Sequence, residues 1–153
     1  MWKTRNKKRG FSLIELIIVI AILGVLLGIA SYSWSRYREN ANLRSAVREI
    51  IADLELAKEK AKGENKTYEV TFTEGSPNYS ISVEGLTTTK SLSSFGSGIL
   101  VESTSFNQEK VSFLPRGTLA TNTGRIIVKN GRNSQATITI NITGRVYVSY
   151  DFK

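Results

Sequence analysis

"KKRGFSLIELIIVIAILGVLLGIA" (residues 7–30) decides how the chain must be read. Lys3, Arg5, Lys7, Lys8 and Arg9 put a charge of +5 ahead of Gly10, with no acidic residue among them. An apolar run then extends from Phe11 to Ala30, broken by Ser12 and by one carboxylate, Glu15. As a helix this run is roughly 30 Å long, the thickness of a bilayer core. The basic leader should stay in the cytoplasm and the remainder should lie beyond the membrane. A cleaved secretory signal is the competing reading, and Gly28-Ile29-Ala30-Ser31 is a weak cleavage site for one. The length of the run and the carboxylate inside it argue against that reading. An ionised carboxylate in lipid is costly and usually functional. Glu15 is therefore the residue that needs an explanation.

The 153-residue chain has a net charge of +8, and most of it sits in the first ten residues. The rest carries 21 − 5 = 16 basic against 13 acidic residues, or +3. There is no cysteine and no histidine. That excludes disulfides, Cys/His metal centres and any His-based catalytic triad. No compact motif activates a lysine or carboxylate nucleophile, and no Gly-Lys-Ser/Thr loop cradles phosphates. No catalytic residue, metal ligand or cofactor is assigned.

Helical spacing continues past the apolar run. Leu43, Val47, Ile50, Ile51, Leu54, Ala57 and Ala61 recur on one side, with Arg44, Arg48, Glu55, Glu59 and Lys62 on the other. Gly63 is the expected stop, and Lys58, Lys60 and Lys62 suit the negative end of the helix dipole. One helix over 11–62 would be roughly 78 Å long, so its first half needs lipid or partner helices.

After Gly63 the period becomes two. Strands are expected at 67–72, 79–84, 98–103, 110–114, 124–129, 136–141 and 145–150, with a Gly/Ser loop at 91–98. The expected fold class is α+β, with the second half of the helix packed on one antiparallel β-sheet domain. The expected divisions are a leader (1–10), a transmembrane helix (11–31), its amphipathic continuation (32–62) and the β domain (63–153).

The stretch "RGFSLIELIIVIAILGVLLGIA" (9–30) resembles the start of a type IV prepilin: a basic leader ending in glycine, then phenylalanine, then glutamate at the fifth position of the mature chain. The resemblance implies a type IV pilin-like fold. It also implies cleavage by a prepilin peptidase between Gly10 and Phe11, N-methylation of Phe11, and a role for Glu15 in assembly. There the carboxylate would meet the amino terminus of a neighbouring pilin or pseudopilin, an attraction strengthened in a low-dielectric bundle. Before assembly Glu15 is either protonated or paired with its own terminus. Common major pilins carry a C-terminal disulfide loop and a proline at the twenty-second mature position. Here there is no cysteine, and that position is Tyr32.

"KVSFLPRGTLATNTGRIIVKNGRNSQATITINITGRVYV" (110–148) resembles the end of GspH/FimT-type pseudopilins through Phe113, Pro115, Gly117, Gly124, Gly144 and Arg145. Major pseudopilins bind calcium near this end, but only Asp151 is acidic here, so no such site is expected. The resemblance implies a structural minor pseudopilin of a type II secretion system. It would be a single-pass protein of the cytoplasmic membrane with its C-terminal domain in the periplasm. Its expected partners are other pseudopilins, with secreted cargo as a further candidate. The alternative is a FimT-like minor pilin that binds DNA for uptake. Residues 63–109 carry −4 and residues 110–153 carry +6. A basic surface can bind phosphates by counterion release. Arg125, Lys129, Arg132 and Arg145 are the candidate DNA-binding residues. The competing reading makes these cations solvated strand ends or partners of the acidic half.

Overall fold

The computed structural model describes residues 11–153, except for the side chains of 30–33. The expected leader, Gly10 included, lies outside the described residues. The chain divides into two compact units, 1–37 and 38–153. Helix α1, Leu13–Glu64, passes through both.

In the first unit, every side chain from Phe11 to Ile29 is exposed. The helix starts where the Ser12 carbonyl accepts from Glu15 N at 3.1 Å and Leu16 N at 3.2 Å. This is the one helix long and apolar enough to cross a membrane among the described residues.

In the second unit, α1 buries the expected stripe. Leu43, Val47, Ile50, Leu54, Ala57 and Ala61 are buried, joined by Ala46, while Ile51 is half-buried at its edge. The helix does not stop at Gly63. That residue is helical, and Asn65 takes the left-handed conformation instead (φ 55). Lys66 N then donates to Ala61 O at 3.2 Å, the six-to-one closure of a helix end. A side chain that can bond locally lets asparagine adopt this conformation almost as well as glycine.

Eight strands follow: β1 (Tyr68–Phe72), β2 (Asn78–Val83), β3 (Leu86–Ser91), β4 (Leu100–Thr104), β5 (Lys110–Phe113), β6 (Gly124–Lys129), β7 (Gln135–Ile140) and β8 (Val146–Asp151). They form the expected antiparallel β domain as two four-stranded sheets, ordered β3-β2-β1-β5 and β4-β6-β7-β8. The turn between β1 and β2 reaches across to the second sheet: Gly75 N donates to Val101 O at 2.8 Å and Val101 N to Ser76 O at 3.0 Å. One hydrophobic core, with Phe72, Tyr79, Phe113, Ile126, Ile138 and Ile140 facing the α1 stripe, serves both sheets.

Strand β3 is absent from the sequence-based expectation. Its segment, LTTTKS, is mostly exposed and shows no apolar alternation. The hairpin holds it: Glu84 and Gly85 both have positive φ, the tight turn that matches strand twist. Residues 91–98 are not wholly a loop, because Leu92–Phe95 form a 3-10 turn that buries Leu92.

Candidate assembly site and basic surface

Glu15 lies in the first turn of α1, three residues after Ser12, and is exposed. A carboxylate there suits the positive end of the helix dipole. The spacing Ser12-x-x-Glu15 is also that of a capping box, a local reason for glutamate beside the functional one. Phe11 is exposed just ahead of the helix. Cleavage before it would place an ammonium at the same positive end, where a carboxylate is needed to offset it.

The residues that carried the C-terminal resemblance have definite structural tasks. Phe113 is fully buried. Leu114 to Gly117 form a turn with Pro115 second, closed by Gly117 N donating to Leu114 O at 2.7 Å. A β-carbon on Gly124 would stand 2.6 Å from the Phe106 ring. Gly144 has φ +73 and packs on the Gly117 carbonyl. Arg145 follows this turn, with its N donating to Asn141 Oδ1 at 2.8 Å.

The four candidate DNA-binding cations do not gather at one rim. Arg125 pairs with Thr139, and Thr139 with Tyr147, so Arg125 and Arg145 lie toward one end of the second sheet. Both are exposed, and neither has an ion-pair partner among the described residues. Lys129 and Arg132 lie at the opposite end, around the β6–β7 turn. Lys129 Nζ meets Glu102 Oε1 at 3.0 Å. Arg132 Nε lies 2.9 Å from Glu39 Oε2, a contact of charge rather than an aligned hydrogen bond. Lys110 likewise pairs with Glu69 at 3.0 Å. Part of the basic half thus neutralises carboxylates of the acidic half and of α1.

Two polar centres were not foreseen from the sequence. Asp53 is buried on the apolar face of α1, where Tyr79 Oη donates to it at 2.5 Å and Lys90 Nζ at 2.7 Å. Lys90 also reaches Glu49 at 2.9 Å. Burial, then the bond to Asp53, pushes the Tyr79 phenol far above its usual range. The bonds to Asp53 and Glu49 raise the Lys90 ammonium. The signal was a carboxylate interrupting an apolar stripe. The second centre is Asn130, whose Oδ1 accepts from Arg132 N and Ser134 N, both at 3.0 Å, and whose Nδ2 donates to Asn40 at 3.2 Å. Among the described residues, no cluster of three or more His, Cys, Asp or Glu could hold a metal ion.

Residues 5–31 match the family described as the prokaryotic N-terminal methylation motif. Residues 46–144 match the family described as type II transport protein GspH, over about two thirds of the chain. The chain belongs to the GspH family. A curated relative of this GspH-family chain is the type II secretion system core protein G of Escherichia coli (strain K12), 36% identical over 69 residues. That alignment covers 45% of this chain and 47% of the relative, so the chain spans about half the length of the curated relative it matches. The type IV minor pilin FimU of Pseudomonas aeruginosa (strain PAO1) shares the fold, with a TM-score of 0.60 at 16% identity, over 74% of this chain and 92% of that one. The minor pseudopilin EpsH from the type 2 secretion system of Vibrio cholerae superposes with a TM-score of 0.53 at 13% identity, over 69% and 94%. At such identities these likenesses establish the pilin-like α+β fold and nothing beyond it.

Proposed function

We propose that this GspH-family protein is a structural minor pseudopilin of a type II secretion system, acting through assembly rather than catalysis. One observation carries the reading: an N-terminal methylation motif at 5–31 and a GspH region at 46–144 stand in the same chain. A prepilin peptidase cleaves between Gly10 and Phe11, and Phe11 is N-methylated. Residues 11–31 anchor the protein once in the cytoplasmic membrane, the leader is cytoplasmic, and the β domain is periplasmic. Glu15 binds a neighbouring subunit's terminal ammonium. The charge is tolerated in an apolar helix because its partner arrives on assembly. Intact-mass analysis of membrane-extracted protein tests this. A terminus at Phe11, methylated when the cognate peptidase is present, supports the reading, and a terminus near Ser31 overturns it.

A second reading, a DNA-binding minor pilin, draws on Arg125 and Arg145 with the exposed Tyr147 on the same sheet. A ring beside unpaired cations suits a stacked base and its phosphate. The engagement of Lys129 and Arg132 with carboxylates makes it the weaker of the two.

A further inference from the structure

We propose that Trp34 and Tyr37 form an interfacial anchor that binds phospholipid headgroups and fixes the depth at which α1 leaves the bilayer. The inference rests on reading the apolar segment as membrane-spanning.

Trp34 and Tyr37 are 71% and 70% exposed, more than most of the large apolar side chains of the spanning segment. They stand three residues apart on α1, one turn along the same side, with ring centroids 6.3 Å apart and planes tilted by 40°. A soluble helix has little reason to present two large rings side by side to water, since burying such surface is favourable. Their place along the helix supplies the reason. At 1.5 Å per residue, Trp34 lies roughly 6 Å beyond Ala30, the last residue of the apolar run, and Tyr37 roughly 10 Å beyond it. The headgroup layer occupies roughly 5–8 Å on each side of the hydrocarbon core. Trp34 therefore falls within that layer, and Tyr37 lies just beyond it with a ring that reaches back toward it, because helical side chains lean toward the N-terminus.

The chemistry of both side chains fits this depth. Each has an apolar body that rests on the upper acyl chains and a polar tip, the indole N–H or the phenol O–H, that bonds to glycerol esters and phosphates. Arg36 and Arg38 alternate with them in the sequence. Long cationic side chains at a helix exit reach lipid phosphates and favour anionic lipid. The rings resist movement in either direction. Sinking deeper would bury their polar tips in hydrocarbon, and rising would return their faces to water.

The test uses the full chain with Trp2→Phe, which leaves Trp34 as its one tryptophan. It is reconstituted into phosphatidylcholine–phosphatidylglycerol vesicles carrying quenchers at headgroup, shallow-acyl or bilayer-centre positions. The expected result is that Trp34 emission is quenched several-fold more by headgroup and shallow labels than by the central label. Tyr37→Ala, at an exposed site, should make this depth profile broader. If the chain floats with the vesicles but no label quenches Trp34, the inference is overturned while the membrane anchor stands. It is overturned equally if emission responds only to the protein-to-lipid ratio, which would mean that the rings face a second copy. A chain that does not float overturns the spanning reading and this inference with it.

Discussion

Gly144 and Gly117 meet backbone to backbone: a β-carbon on Gly144 would run into the Gly117 carbonyl oxygen. The φ of Gly144, +73, adds a conformational penalty for any other residue. Gly144→Ala should lower the stability of a 38–153 fragment by about 2–4 kcal/mol. Arg145→Ala, next to it, should cost about 0.5 kcal/mol or less, since its side chain is exposed. Urea unfolding of both variants checks this. Equal losses would mean that the arginine is as structural as the glycine.

The fragment itself is a prediction. Residues 38–153 contain the whole hydrophobic core, so they should fold without the apolar segment. Circular dichroism should show mixed helix and strand, with cooperative thermal unfolding. Within this fragment, Leu54→Ala should cost about 2–5 kcal/mol through the cavity it opens. Tyr79→Phe should cost about 1–2 kcal/mol, because Asp53 loses a buried donor.

The Asp53 cluster gives the fold an alkaline limit. The Tyr79 and Lys90 groups are both raised above their ordinary values of 10.0 and 10.5, so the folded state holds their protons more tightly than the unfolded state. Their contribution is complete below pH 10.0 and is lost progressively as the pH rises above it. The melting temperature should therefore fall above that point. Tyr79→Phe should show a shallower fall, and an unchanged slope would remove Tyr79 from the cause.

DNA binding separates the two functional readings. If Arg125 and Arg145 form a receptor surface, the fragment should bind duplexes weakly and without sequence preference. About two phosphate contacts would give a modest salt slope. Arg125→Ala with Arg145→Ala should abolish it, and Lys129→Ala should change it little. Fluorescence anisotropy at low salt measures this. No binding there removes the receptor reading and leaves the pseudopilin.

Much of the fold was legible because the apolar period changes at a definite place. The stripe from Leu43 to Ala61 and seven of the strands follow from side-chain alternation, which burial enforces. Strand β3 was not legible. Its threonines face solvent, and only the Glu84-Gly85 turn and the pairing with β2 make it a strand. The division into two sheets was hidden for a related reason: alternation reports a buried face, not which strand lies beside which. The helix end was misplaced, because glycine is merely tolerated at 63 while Asn65 makes the left-handed closure. At the candidate site, Gly10, Phe11 and Glu15 were singled out by the resemblance of residues 9–30 to a prepilin start. The separation of Arg125 and Arg145 from Lys129 and Arg132 needed the strand register, and the engagement of the last two needed the positions of Glu102 and Glu39.

Cross-linking within the apolar helix tests assembly through Glu15 most directly. A photo-crosslinking residue at Ile22, introduced in cells that carry the complete secretion machinery, reports which chains touch the helix. Assembly through Glu15 predicts adducts with other pilin-type subunits, identified by mass spectrometry. It also predicts their loss in Glu15→Val, although that variant enters the membrane as well as the native chain because it removes an intramembrane charge. Undiminished adducts in Glu15→Val would contradict it.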